Sequence, residues 1–462
     1  MPSKEPGRVM PAIIGSVSRR CNLRPGPSAR LDRMLVLHSA RDRASPPARP
    51  AVGRPSRIGL AVAGGGPIGG MYELGALRAL DEALDGLDLN RLDCYVGVSS
   101  GAFLAAGLAN RMDTAEMCRI FITGDSDDVQ FRPGTFLRPA FAEYMRRAAS
   151  LPRRVAGWGR DMLSAGGDSR WSDAITRFGG LVPTGLFDSA EIERFLRDVF
   201  TRRGRSNDFR ELAAPLYVVA VDLDSGKAVR FGGEGWDEVP ISTAVQASAA
   251  LPGLYPPVEI CGRHYVDGAL RRTMHASVVL EQDIDLLIGL NPLVPFDASQ
   301  ATRQPGGIDH NLSEGGLPVV LSQTFRTLLQ SRMQVGLARY AQQYPHVDQL
   351  VFEPNADDGE LFFTNVFSFA ARRRVCELAY RNTLADLRQR AGVLAPMLAA
   401  HGIALRTDVL ADRDRSILDG LPARARSTDT TARLHRSLDD VERLLASRSN
   451  RGNDQDRTPH GH

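Results

Sequence analysis

Gly97-Val98-Ser99-Ser100-Gly101 fits the pattern G-x-S-x-G. Such a run serves acyl transfer when it sits at a strand-to-helix turn, because small flanking residues let the chain bend sharply and expose the central hydroxyl. Ser99 is the candidate nucleophile. Upstream, Gly64-Gly65-Gly66-Pro67-Ile68-Gly69 has two readings. As G-x-G-x-x-G it could cradle a dinucleotide, but that needs an acid at the end of the next strand, and the chain there reads Gly97-Val98-Ser99-Ser100. As a source of backbone N–H groups beside a nucleophile it could hold an oxyanion, with glycine removing the Cβ atoms that would crowd a carbonyl. Gly64, Gly65, Gly66 and Ser100 are the candidate donors, and Gly69, Gly97 and Gly101 support the two turns. A serine also needs a base. His264-Tyr265-Val266-Asp267-Gly268-Ala269 reads as a short strand ending in Asp-Gly, which offers Asp267 as that base and Gly268 as its turn residue. Before it lies Ala247-Ser248-Ala249-Ala250-Leu251-Pro252, a small-residue segment closed by Pro252.

The elements that must carry these residues follow from apolar patterning. Arg57 to Ala63 is a short apolar run entering the glycine turn, as a buried parallel strand would. From Ile68 to Leu84 the spacing of Leu74, Leu77, Leu80 and Leu84 predicts a helix with one apolar stripe. Cys94 to Val98 predicts the next strand and Ala102 to Leu108 the next helix, a β-α-β-α run that implies a doubly wound, mainly parallel sheet. Residues 111–186 are weakly periodic and predict a lid insertion. A helix is expected from Asp188, where Asp188 and Glu191 resemble a capping box. Leu216 to Val221 and Ala228 to Phe231 predict a hairpin across Asp222-Leu223-Asp224-Ser225-Gly226. Further strands are expected at His264 to Val266, Leu286 to Leu290 and Gln349 to Phe352, with long helices near 318–343 and 368–393.

Composition narrows the class. The chain has 462 residues, 43% hydrophobic and 24% charged, and no run of about 18 apolar residues, which excludes a spanning helix. Residues 1–57 hold 12 Lys/Arg against three acids. That arm, rich in Pro, Arg, Ser and Gly, has too few apolar residues for a core and is expected to be disordered over 1–56. Cations other than Lys4 and Lys227 are all Arg, which reads as base composition rather than selection for nucleic acid. The cysteines Cys21, Cys94, Cys118, Cys261 and Cys376 have no metal-like spacing and predict buried free thiols in a reducing, cytoplasmic compartment. No signal-peptide pattern stands out in the arm.

Together, Gly64 to Gly69, Gly97 to Gly101, Ala247 to Pro252 and Asp267 to Ala269 resemble the patatin-like phospholipase family in motif content and order, over roughly residues 57–300. Thr184-Gly185-Leu186-Phe187-Asp188 is also similar. The departure is Ile68, beside Pro67, where the family's loop carries Arg or Lys. The resemblance implies a three-layer patatin-like catalytic domain over 57–395, with 396–462 as a helical or low-complexity tail. It implies a Ser99–Asp267 dyad without a histidine, a lipid or acyl-ester substrate cleaved as by a phospholipase A or lysophospholipase, and no metal or cofactor. The basic arm and the lid are the expected sites of peripheral membrane contact.

Two other readings stay open. An α/β-hydrolase-type esterase would use a later histidine, from among His275, His310, His346, His401 and His435, while His264 precedes Asp267 on its own strand. A lipid-surface or partner-binding protein with a decayed esterase site would also retain these glycines.

Overall fold

A computed structural model describes residues 35–39, 54–124, 126, 131, 184–202, 204–301, 312–363 and 369–421. The chain divides into two units, 1–32 and 33–462, and every described residue belongs to the second.

Among the described residues, nine strands form one sheet: β1 Leu35–His38, β2 Ile58–Val62, β3 Cys94–Gly97, β4 Leu216–Asp222, β5 Ala228–Phe231, β6 Val258–Ile260, β7 Arg263–Asp267, β8 Leu286–Leu290 and β9 Asp348–Phe352. The order is β1-β9-β8-β2-β3-β4-β7-β6, with β5 also on β4. The run β9-β8-β2-β3-β4 is parallel throughout, and β1, β5, β6 and β7 add antiparallel pairings at the two sides. Helices α1 Gly66–Ala83, α2 Ser100–Ala109, α3 Ala190–Phe200, α4 Ile241–Ser248, α5 Gly316–Gln343 and α6 Phe369–Gln389 flank it.

The alternation of strand side chains sorts the sheet into two cores. Leu60, Val62, Tyr95, Val218, Ile288 and Phe352 join α1, α2, α3, α4 and α6 in one cluster. Ala61, Ala63, Cys94, Val96, Val219, Leu287 and Val351 join Met333, Leu337 and Tyr340 of α5 in the other. Both faces are covered, which is why the central strands read as unbroken apolar runs. The expected doubly wound, mainly parallel α/β architecture is present.

The described residues differ from expectation at several points. Leu35–His38, inside the arm expected to be disordered, pairs antiparallel with β9 in the register Leu35↔Phe352 to His38↔Gln349. The short apolar cluster is insufficient alone, but the sheet edge supplies its backbone partners. The expected lid begins too early at 111, because Met112, Met117, Cys118, Ile120, Phe121 and Ile122 are buried in the main core. At its other end, Gly185 bridges Gly253 and the Phe187 N–H donates to the Leu254 carbonyl at 2.9 Å. Most of the segment between lies outside the described residues. The expected tail at 396 likewise holds core residues Met397, Leu398, Ile403, Leu410 and Ile417, pinned where Arg415 Nε donates to Glu82 Oε2 at 2.8 Å. Finally, Cys94, Cys118 and Cys376 are buried thiols, but Cys261 is exposed, because it lies in the tight turn joining β6 to β7. Cys21 is outside the described residues.

Candidate active site

Ser99 stands between β3 and α2 with φ 52° and ψ −120°, a left-handed conformation that a non-glycine residue holds only under tertiary constraint. The constraint comes from close backbone approach. A Cβ on Gly97 would run into Gly101 and Ala102, and one on Gly101 would run into the Val62 and Ala63 carbonyls. The spacing G-x-S-x-G is therefore a packing requirement of this turn. The Ser99 N–H also donates to Ser248 Oγ at 2.8 Å, and Ser248 Oγ donates to the Val219 carbonyl at 2.6 Å. Ser248 is fully buried at the end of α4. The small-residue segment seen in the sequence thus holds the elbow in place. The motif was visible, but the role of Ser248 needed three dimensions. Pro252, expected only as motif support, is exposed in the turn that presents Gly253 to Gly185.

Asp267 reaches Ser99 through the topology of β4. Val218 pairs with both Gly97 of β3 and Phe231 of β5, so β3 and β5 lie on opposite edges of β4. Ala220 pairs with both Val229 of β5 and Asp267 of β7, so β7 shares the edge that β3 occupies. β3 runs parallel to β4 and β7 antiparallel, so their C-terminal ends meet, bringing Ser99 to Asp267. The Ser99 hydroxyl lies near enough to the Asp267 carboxyl to favour its ionised form. Asp267 Oδ1 also accepts from the Ala269 N–H at 2.8 Å, and the Asp267 N–H donates to the Ala250 carbonyl at 3.0 Å. A side chain on Gly268 would strike the Val219 carbonyl, the same oxygen that accepts from Ser248. Burial pushes the Asp267 carboxyl up from its ordinary 3.8 to about 6, against the nearby Ser99 hydroxyl and the Ala269 N–H, which lower it.

The glycine loop lies beside this pair at the C-terminal end of β2, where a Cβ on Gly64 would come 3.0 Å from Ser99 Cβ. The four expected donors divide. The Gly64 N–H donates to the Thr273 carbonyl at 3.2 Å, and the Gly65 N–H donates to Ser100 Oγ at 3.0 Å. Both are engaged within the protein. Gly66 and Ser100 are the first residues of α1 and α2, where helix geometry leaves N–H groups without intrahelical acceptors and adds a partial positive charge. Gly66, with φ +63°, can make this turn because it has no Cβ. Pro67 fits the first turn of α1, where a missing N–H removes no helical bond. Ile68 packs its side chain partly against the main core. Gly69 lets the helix pass Pro292, to which a Cβ would come within 2.9 Å.

The described histidines are placed elsewhere or make other contacts. His275 Nε2 lies 3.3 Å from the Gly268 carbonyl, and burial lowers its pKa from 6.5 to about 3, so it is neutral. His264 is exposed on β7, and His346 is exposed with its ring against Tyr344. His401 forms its own relay, Nδ1 to Ser56 Oγ at 2.6 Å and Nε2 to Asp348 Oδ2 at 2.9 Å. Ser56 precedes β2 and Asp348 begins β9, so this relay lies at the N-terminal ends of the strands. One strand of five residues, at ~3.3 Å each, separates that end from Ser99. His310 and His435 lie outside the described residues.

Residues 60–280 match the family model described as patatin-like phospholipase, a span that includes the glycine loop, the elbow, Ser248 and Asp267. This part of the chain is a patatin-like phospholipase domain. Among solved structures, VipD from Legionella pneumophila is similar at 18% identity and a TM-score of 0.29, covering 58% of this chain and 55% of its own. The type III effector protein ExoU, from Pseudomonas aeruginosa, is similar at 17% identity and a TM-score of 0.26, covering 75% of this chain and 65% of its own. The chain therefore spans between half and two thirds of the length of these two proteins.

Proposed function

We propose that the protein is a serine acyl hydrolase that cleaves carboxylic esters of lipids, of the phospholipase A or lysophospholipase type, through Ser99 and Asp267. The observation that carries this reading is the meeting of the β3 and β7 C-terminal ends, which brings Ser99 to Asp267, a buried carboxyl that burial pushes up to about 6. A carboxylate with its usual pKa is a weak base at neutral pH, and burial brings its proton affinity closer to that task.

In this mechanism Ser99 Oγ attacks the ester carbonyl carbon while its proton passes to Asp267. The oxyanion is held by the N–H groups of Gly66 and Ser100, with the α1 and α2 N-termini adding favourable charge. The tetrahedral intermediate collapses, the C–O bond to the alcohol breaks, and Asp267 returns the proton to that oxygen. Water then attacks the acyl-enzyme with Asp267 as base, releasing a fatty acid and restoring the Ser99 hydroxyl. Lipid as the acyl donor is carried over from the family of residues 60–280.

Contact of the cationic arm with anionic headgroups belongs to the same proposal, each cation contributing on the order of 1 kcal/mol near such a surface. Removing residues 1–32, which leaves β1 intact, should weaken sedimentation with anionic vesicles, and undiminished binding would leave the arm no such role. The test of the activity itself is fatty-acid release from phospholipid vesicles and hydrolysis of a short-chain aryl ester. The reading expects wild type to be active on at least the ester, and folded Ser99→Ala and Asp267→Asn proteins to be inactive.

A further inference from the structure

Glu73 is a carboxyl with no exposed surface, on the second turn of α1. Its Oε2 accepts from Ser100 Oγ at 3.2 Å, and its Oε1 has no hydrogen-bond partner among the described residues. Ser100 Oγ in turn accepts the Gly65 N–H at 3.0 Å. The three groups form a continuous path from the interior of α1, through the residue that follows the nucleophile, to the glycine loop. The path exists because α1 and the start of α2 approach closely. A Cβ on Gly70 would come 3.3 Å from Ser100 Cβ, and one on Gly69 would come 3.8 Å from its Oγ. Gly69, Gly70 and Glu73 share one face of α1 at spacings of three and four, so the glycines open the space and Glu73 fills its end.

A buried carboxyl with one oxygen unpartnered opposes folding, and an apolar side chain of similar volume would remove that cost. Burial raises the Glu73 carboxyl well above its ordinary range, with only the Ser100 hydrogen bond opposing, so burial disfavours a charge beside the oxyanion while Oε2 accepts the Ser100 O–H hydrogen bond. By orienting that proton it leaves the Ser100 lone pairs turned toward Gly65. The loop is then fixed with the next N–H, that of Gly66, free for substrate.

We infer that Glu73 is a positioning residue for the oxyanion loop, acting through Ser100 to hold Gly65 and thereby aim the Gly66 N–H. This deepens the acyl-hydrolase reading and rests on it. The test compares wild type, Glu73→Leu, Glu73→Gln and Ser100→Ala in steady-state hydrolysis of a short-chain aryl ester, with thermal melting of each. The expected result is that Glu73→Leu melts at or above the wild-type temperature while kcat falls about 10- to 100-fold and KM stays within about threefold, a loss at or below that of deleting one oxyanion donor. Glu73→Gln, neutral and able to accept from Ser100, should recover kcat to within about threefold of wild type, and Ser100→Ala should lose kcat as Glu73→Leu does. If Glu73→Leu does not fold, the Gln and Ser100 variants decide: kcat of Ser100→Ala within twofold of wild type overturns the inference. So does Glu73→Gln as slow as Glu73→Leu or Ser100→Ala. A silent wild type would overturn the acyl-hydrolase reading and this inference with it, whereas an active wild type with an inert Ser99→Ala and unaffected Glu73 variants would overturn only the latter.

Discussion

Ser248 and Ser99 lie far apart in sequence, yet the hydroxyl of the first accepts the backbone N–H of the second at 2.8 Å. The same hydroxyl donates to Val219, so one buried side chain joins the elbow to the central strand β4. Ser248→Ala would leave that N–H and that carbonyl without their partner. We expect a loss of about 1–3 kcal/mol in stability, measured by denaturant unfolding, and a fall in kcat that exceeds any change in KM. Unchanged stability and kcat would show that the elbow holds itself.

The strain at Ser99 is separable from its chemistry. Ser99→Ala and Ser99→Gly both remove the hydroxyl, but only glycine takes φ 52° without a Cβ clash. Ser99→Gly should be more stable than Ser99→Ala by about 1 kcal/mol, with both inactive. Equal unfolding midpoints would mean that the surrounding packing stores no strain there.

Asp267 gives activity and stability opposite trends with pH. As base it must be ionised, so kcat/KM for an ester should rise about tenfold per pH unit below about 6 and level off above it. For stability, the folded pKa of about 6 lies above the ordinary 3.8, so the protonated form is favoured by folding. Its contribution is complete below 3.8 and is lost as pH rises through about 6, an effect of ~3 kcal/mol at ~1.4 kcal/mol per pKa unit. Asp267→Asn should therefore gain stability relative to wild type at pH 8 and lose that advantage by pH 4. Parallel pH–stability curves for the two proteins would contradict the buried, high-pKa carboxyl.

The thiols offer a check on the fold. Cys261 is exposed while Cys94, Cys118 and Cys376 are buried, and burial pushes Cys94 up to about 12. Under native conditions an alkylating reagent should modify Cys261 and leave these three unreacted, which mass spectrometry of digested protein would resolve. Rapid labelling of Cys94 would contradict the sheet's second core.

The sheet and the elbow were legible because they rest on local signals. Unbroken apolar runs at Ile58–Val62, Cys94–Gly97 and Leu286–Leu290 mark strands buried on both faces, and these became central strands. The hairpin turn at Asp222 to Gly226 was equally readable, since Asp222 Oδ1 accepts from the Asp224 and Ser225 N–H groups. β1 was not, because four residues become a strand only where β9 offers an edge. Within the site, the sequence could nominate Gly64 and Gly65 as donors, but not the Thr273 carbonyl and Ser100 hydroxyl that engage them. Glu73 carried no local signal and Ser248 only its place in the small-residue segment, since the roles of both depend on partners from other elements.

The most direct test of the central claim is hydrolysis of a short-chain aryl ester by wild type, Ser99→Ala, Asp267→Asn and His346→Ala, each shown to be folded. The dyad predicts that the first two variants lose on the order of 10³-fold or more in kcat/KM while His346→Ala stays near wild type. Retained activity in Asp267→Asn, or its loss in His346→Ala, would contradict it.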